Sequence, residues 1–189
     1  SGHGIASGLI TLLAKSLLWR NFSGLSNRSL GRILEQVDNE LSEELSSVEN
    51  YLTCALLRMR ESTVEYANAG HTELAYRRAG QAKANLLKPK AEDEYKGPPL
   101  GREGIESPYR AVKFQINSGD SMLVYTDCLL EARDENGNAF GIEGMLTAYG
   151  RAPEGAAADM LNYIMDEWRY HTGSIQPVDD LTVVLLRRK

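Results

Sequence analysis

Two stretches decide how this sequence is interpreted: SMLVYTD at residues 121–127 and DDLTVVLL at residues 179–186. Asp127 directly follows the first apolar run, and Asp179 and Asp180 directly precede the second. Short apolar runs rich in Val, Leu and Tyr predict β-strands. If these two strands pair antiparallel, the end of the first and the start of the second share one edge of a sheet. The carboxylates of all three aspartates would then converge at that edge.

Converging carboxylates repel one another, and a bound divalent cation is the usual remedy. Hard oxygen ligands of this kind suit Mg²⁺ or Mn²⁺. An aspartate at a strand end is also a common turn former or cap, and a pair of neighbouring aspartates is often simply solvated. The spacing by itself leaves both interpretations open.

Helical periodicity occurs in three parts of the chain. A leucine-rich segment from Ile5 to about residue 21 predicts one helix, and apolar positions from Leu30 to about residue 46 predict a second. A third helix is predicted to begin at Pro153 and to end before Gly173. On the first helix, the stripe expected to face the protein core consists of Leu9, Leu12, Leu13 and Leu17.

Strand-like runs occupy most of the middle of the chain and its end. Ala69-Gly70-His71 is predicted to be a hairpin turn, and residues 118–120 join the next two strands. The chain thus begins with helices, continues with hairpin-linked strands and ends with a helix and a strand. This order predicts an α+β fold, with an antiparallel sheet system covered by helices. The predicted strands are 51–59, 63–68, 72–78, 111–117, 121–126 and 181–186.

The composition is that of an ordinary globular domain. The chain has 189 residues, 42% of them hydrophobic and 25% charged, which predicts a single domain. Its net charge of −5 argues against non-specific nucleic-acid binding. The two cysteines, Cys54 and Cys128, form neither a disulfide scaffold nor a CxxC metal pair, which favours a reducing cytoplasm. No apolar run reaches roughly 18 residues, so no membrane span is predicted.

Other catalytic motifs compete poorly with the acidic motifs. His3, His71 and His171 do not stand in an HExxH or paired-ligand spacing, and the sequence has no GxSxG elbow. The glycines of residues 2–8 do not follow GxGxxG and lack the acid expected about 20 residues later. A nucleotide-binding enzyme is therefore not expected, and a direct nucleotide titration would test for one.

Six short motifs occur in a fixed order along the whole chain. They are SGHG (1–4), NAGH (68–71), PPLG (98–101), GDSMLVYTD with LLEAR (119–133), FG (140–141) and DDLTVVLLR (179–187). In this order they resemble the metal-dependent protein phosphatase (PPM) family, in its bacterial branch of the sporulation-protein-E and sigma-factor-regulator type.

The resemblance implies a β-sandwich of two antiparallel sheets flanked by helices, in αββα layers. It also implies Mn²⁺ or Mg²⁺ at one end, and hydrolysis of a phosphoserine or phosphothreonine by metal-activated water. Asp127 and Asp179 match the family's catalytic metal aspartates. Asp180, Gly2 and His3 match positions that lie beside the ligands without binding the metal.

The sequence departs from the family pattern in two places. The family usually has glycine after the YTD aspartate, whereas this chain has Cys128, which is expected to be a small buried side chain. The family motif D-x-S-G-H-G also places a metal aspartate two residues before Ser1, with further strands upstream. Residues 1–189 are therefore expected to be an N-terminally truncated catalytic domain of a larger protein.

The resemblance further implies the partners of such a domain. These are a phosphorylated protein substrate, of the anti-sigma-factor-antagonist type, and an upstream sensor domain, in the cytoplasm. An unpaired sheet edge left by missing strands would favour self-association, as in a swapped homodimer. The alternative is a regulatory or binding module that keeps the fold without catalysis, which the missing aspartate and Cys128 motivate.

Overall fold

The computed structural model describes residues 5–24, 27–47, 51–88, 96–102, 109–177 and 179–189. Contacts divide the chain into two units, residues 1–71 with 89–115 and residues 72–88 with 116–189. In chain order the elements are α1 (Ile5–Gly24), α2 (Leu30–Ser47), β1 (Cys54–Arg60), β2 (Thr63–Ala69), β3 (Ala75–Arg77), β4 (Ala84–Leu86), β5 (Lys96–Gly97), β6 (Ala111–Gln115), β7 (Ser121–Tyr125), α3 (Cys128–Glu131), α4 (Gly141–Arg151), α5 (Ala157–Thr172) and β8 (Val183–Arg187).

The first unit contains helices α1 and α2 and a four-stranded sheet with β2 at its centre. β2 pairs antiparallel with β1 and with β6, and its last two residues pair parallel with the short β5. The apolar stripe of α2 is fully buried and packs against Ala67 and Ala69 of β2. That stripe is Leu30, Ile33, Leu34, Val37, Leu41 and Leu45.

A buried carboxylate joins α2 to the sheet of this first unit. Oε1 of Glu65, on β2, accepts a hydrogen bond from the backbone amide of Leu30 at 3.1 Å. Oε2 of Glu65 accepts from the Arg58 guanidinium at 3.1 Å. An acid at the N-terminus of a helix meets otherwise unpaired amides and the positive end of the helix dipole, so Glu65 fixes the start of α2.

The predicted core stripe of α1 is wrong in part. Leu9 and Leu12 are 62% and 63% exposed, whereas Ala14 and Leu17 are buried. The predicted stripe fails because α1 carries apolar residues around its whole circumference, so the sequence pattern does not select one face.

The second unit contains an antiparallel sheet in the order β4-β3-β7-β8, with α3, α4 and α5. Large side chains from the sheet and the helices form one core: Leu123 and Tyr125 of β7, Met145 and Tyr149 of α4, and Ile164 and Trp168 of α5. Trp168 also donates its indole N–H to the Leu129 carbonyl at 3.2 Å, which ties α5 to α3.

One predicted connection is wrong. Residues 69–71 do not form a hairpin turn, because β2 and β3 belong to different sheets, and the tight turn lies instead at Glu61, whose φ is +51°. Residues 118–120 join β6 to β7 as predicted, and these two strands are not paired with each other. Turn residues mark where a strand ends, but they do not show which sheet the next strand enters.

The helical predictions also need correction in the second unit. The last helix begins at Ala157 rather than Pro153, and α4 was not predicted. α4 is amphipathic, but it is short and contains three glycines, which disfavour a helix. The described helices include none that is both long and apolar enough to cross a membrane.

Candidate metal centre

The pairing of β7 with β8 brings the acidic motifs to one edge of the second unit. The strands are antiparallel, with Tyr125 opposite Val183, and the Thr126 amide donates to the Thr182 carbonyl at 3.0 Å. This confirms the shared edge that the sequence predicted. Asp127 and residues 179–180 are the next residues outward on the two chain segments.

Asp127 is exposed and begins the short helix α3. Its Oδ1 accepts a hydrogen bond from the Cys128 amide at 3.1 Å, so its side chain caps the helix. The cap interpretation from the sequence is therefore realised. A capping carboxylate at the surface still has lone pairs that can bind a cation, so the cap does not conflict with a ligand role.

Asp179 and Asp180 are also exposed, and the backbone around them is held in place. Asp179 Oδ1 accepts from the Asp180 amide at 2.7 Å. The Thr126 hydroxyl donates to the Asp180 carbonyl at 3.1 Å and accepts from the Thr182 amide at 3.0 Å. Thr126 therefore joins the end of β7 to the segment that carries both acids.

Cys128 is the buried neighbour of these acids. Its side chain is 3% exposed, and its Sγ donates to the Asp179 carbonyl at 3.2 Å. Burial raises the pKa of the Cys128 thiol, and the charges of Asp179, Asp127 and Glu131 act in the same direction. The thiol is thus protonated at neutral pH and acts as a hydrogen-bond donor.

The backbone at Cys128 does not require glycine. Among the described non-glycine residues only Glu61 has a positive φ, and Cys128 lies in helix α3. The expectation of a small buried side chain is confirmed. The replacement of the family glycine therefore causes no backbone strain at this position.

The chemistry of these donors fits a hard divalent cation, but the set is partial. Carboxylate oxygens are the ligands that Mg²⁺ and Mn²⁺ prefer. Within the described ranges, no three His, Cys, Asp or Glu side chains lie close enough together to hold a metal ion. Asp127 and Asp179 would therefore bind a metal together with other ligands, and the predicted neighbours Gly2 and His3 lie outside the described residues.

The NAGH motif has a structural role in the first unit. Asn68 is fully buried, and its Oδ1 accepts from the His71 amide at 2.8 Å while its Nδ2 donates to the Tyr66 hydroxyl at 2.7 Å. Gly70 has φ +68°, and a Cβ there would lie 2.5 Å from Pro99 of the PPLG motif. Two of the recognised motifs thus meet at the local turn that the Asn68–His71 bond closes, although this turn does not pair β2 with β3 as a hairpin.

Sequence reasoning missed Thr126 and the contact made by the Cys128 thiol. The position of Thr126 directly before Asp127 was a usable signal, because a hydroxyl at a strand end often bonds to nearby backbone. The Cys128 contact had no sequence signal, since it joins residues 51 positions apart.

The family model for stage II sporulation protein E (SpoIIE) matches residues 1–189, so this chain belongs to the SpoIIE family. A search of curated protein sequences gave no match.

Solved structures of PP2C-type phosphatase domains share the fold. The SiaA PP2C domain of Pseudomonas aeruginosa is similar with a TM-score of 0.81 and 19% identity, over 100% of this chain and 73% of that one. The RsbU and RsbW domains of a Mycobacterium tuberculosis protein are similar with a TM-score of 0.73 and 20% identity, over 100% of this chain and 51% of that one. RsbX in complex with magnesium is similar with a TM-score of 0.61 and 15% identity, over 97% of this chain and 75% of that one.

These similarities confirm the predicted fold of two sheets flanked by helices, the fold of PP2C-type serine/threonine phosphatases. One detail differs from the prediction, since the sheet of the first unit includes the parallel pair β2–β5. This chain spans about half to three quarters of the length of the structures it matches.

Proposed function

We propose that this chain is the catalytic part of a metal-dependent protein serine/threonine phosphatase. One observation carries the proposal: in a chain with the PP2C fold, Asp127 and Asp179 lie at the same end of the β7–β8 pair. Both carboxylates are exposed, so a phosphate group on another protein can reach them.

In this proposal Asp127 and Asp179 hold Mn²⁺ or Mg²⁺. When bound, the metal lowers the pKa of a water molecule, orients the phosphate and offsets the charge that develops during transfer. The choice of metal is supported by similar structures, one described as soaked with Mn and one in complex with magnesium. Asp180 contributes through its backbone, because its carbonyl accepts from Thr126.

The proposed substrate is a phosphoserine or phosphothreonine on a regulatory protein, of the anti-sigma-factor-antagonist type. Support comes from the family and from structural similarity to RsbU and RsbX. A regulatory domain elsewhere in the natural protein and a cytoplasmic location belong to the same proposal. A similar SpoIIE structure from Bacillus subtilis is described with a fragment of its regulatory domain.

The test is release of phosphate from a phosphoserine-containing protein by the full-length natural protein that contains this chain. We expect release that requires Mn²⁺ and stops on chelation. A folded protein that releases none with either metal, but binds the phosphoprotein, would instead establish the regulatory or binding module.

A further inference from the structure

We infer that Cys128 is a positioning residue that sets the placement of the two acids of the candidate metal centre. The inference rests on the proposed function, because it gives Cys128 a role toward the same metal. Cys128 contacts the backbone or side chain of both acids, although they are 52 positions apart in sequence.

The two contacts use different atoms of Cys128. Its backbone N–H donates to Asp127 Oδ1 at 3.1 Å, which orients that carboxylate. Its thiol donates to the Asp179 carbonyl at 3.2 Å, which fixes the backbone from which the second carboxylate projects. Any residue except proline supplies the first contact, but only a side chain with a donor supplies the second.

The thiol contact holds the backbone at Asp179, where the chain leaves a stretch outside regular secondary structure. Residues 173–177 are exposed and form neither helix nor strand. Their described backbone bonds run back toward the end of α5, as in the bond from the Ile175 amide to the Thr172 carbonyl. Because the thiol is buried, water competes little for the Asp179 carbonyl at that point.

Contacts that orient metal ligands raise the affinity of the site for the metal. Loss of an outer-shell partner typically weakens metal binding about 10-fold to 100-fold. A thiol is a weak donor, so the lower end of that range is the expected effect.

The experiment compares Cys128→Ala, which removes the donor, with Cys128→Ser, which retains one. Cys54→Ala is the matched control, because Cys54 lies in the other unit, on β1. The full-length protein is titrated with Mn²⁺, and free Mn²⁺ is followed by electron paramagnetic resonance. Amide hydrogen exchange is measured separately, without metal, over the peptide that spans residues 174–182.

We expect Cys128→Ala to weaken Mn²⁺ affinity about 10-fold and to speed exchange in the 174–182 peptide, with the rest of the protein unchanged. Cys128→Ser should restore both readouts to within about threefold of the wild type, and Cys54→Ala should match the wild type. Rescue by serine separates a positioning role from simple filling of space, which alanine and serine provide about equally.

The inference is overturned if Cys128→Ala keeps either the wild-type affinity or the wild-type local exchange, or if serine does not rescue. The two arms also separate this inference from the proposed function. A wild-type protein that binds no Mn²⁺ overturns the metal centre, whereas unchanged exchange in Cys128→Ala overturns the positioning contact by itself.

Discussion

Thr126 supports the candidate metal centre through a single hydroxyl. That hydroxyl accepts from the Thr182 amide and donates to the Asp180 carbonyl, at 3.0 and 3.1 Å. It therefore links the last residues of β7 to the residues that carry the acids. This connection contributes, together with the Cys128 contacts, to holding the backbone that carries the acids.

Replacing Thr126 by valine should lower the free energy of unfolding by about 1 kcal/mol, because the shape is retained while both hydrogen bonds are lost. Urea denaturation measures the change. Thr147→Val on the exposed face of α4 is the control and should stay within about 0.5 kcal/mol of the wild type. Equal stabilities of the two variants would contradict the account of Thr126.

Asp120 organises the turn before β7. Burial opposes its ionisation, but bonds from the Asn117 and Ala79 amides and from the Arg78 guanidinium outweigh burial and hold the pKa of Asp120 below its usual value. A lowered pKa in the folded state means that stability is present above the unfolded value, near 3.9, and is lost as pH falls through the folded value.

Asp120→Asn should therefore cost about 1–3 kcal/mol at pH 7. The difference between the variant and the wild type should shrink as pH falls below about 4. Urea denaturation between pH 3 and pH 7 measures both quantities, with the surface residue Asp166 as the control in Asp166→Asn. A stability difference that stays constant across this range would show that the Asp120 charge contributes nothing.

At the scale of elements, α2 is held against a neighbouring strand segment at a glycine. A Cβ on Gly31 would lie 2.2 Å from the Tyr109 carbonyl oxygen, closer than any real contact. A Cβ on Gly8 in α1 would have no other atom within 4 Å. Both residues lie in helices, so their intrinsic helix propensities are matched.

Gly8→Ala should raise the free energy of unfolding by up to about 1 kcal/mol, since alanine favours the helix. Gly31→Ala should lower it by about 1–3 kcal/mol, because the methyl group must displace backbone. Thermal or urea denaturation distinguishes the two. If Gly31→Ala also stabilised the protein, the close packing of α2 on the segment before β6 would be wrong.

The elements show which parts of the fold the sequence can predict. α2 was predicted almost to the residue, because its buried stripe alternates with charged residues. The edge shared by β7 and β8 was predicted because the acids stand directly beside the apolar runs. α1 gave a weak signal because it is apolar all round, and α4 was missed because it is short and contains three glycines.

The sheet assignment of each strand was beyond local patterns. β2 and β3 are close in sequence but belong to different sheets, and the contacts that decide this are long-range. The same holds for the site, where Asp127 and Asp179 were identified from sequence but the Cys128 thiol contact was not. Side-chain contacts between distant residues depend on packing that a sequence pattern does not encode.

At the scale of the whole molecule, metal binding should appear as added stability. A ligand that binds only the folded state at 100 times its dissociation constant contributes about 2.7 kcal/mol. For a chain of this size that corresponds to a rise of about 5–10 °C in the melting temperature. Mn²⁺ should give this shift by calorimetry and a chelator should reverse it, whereas Asp127→Asn should abolish it. A shift of equal size in Asp127→Asn would place the metal elsewhere.

The predicted self-association stays a prediction and belongs to the same scale. The exposed apolar residues Leu9, Leu12 and Trp19 of α1 are compatible with it. Light scattering over a range of concentrations would decide the matter, and a strictly monomeric protein would refute it.

The most direct test of the central claim is the rate of Mn²⁺-dependent phosphate release in Asp127→Asn and Asp179→Asn. Asparagine keeps the cap at Asp127 and the local acceptor at Asp179, so each change removes the charge with little effect on the fold. The account predicts that each variant loses at least about 100-fold in rate, since metal catalysis supplies several kcal/mol and each 1.4 kcal/mol is tenfold. Asp166→Asn should retain the wild-type rate. Wild-type rates with an unchanged Mn²⁺ requirement in both aspartate variants would contradict the account.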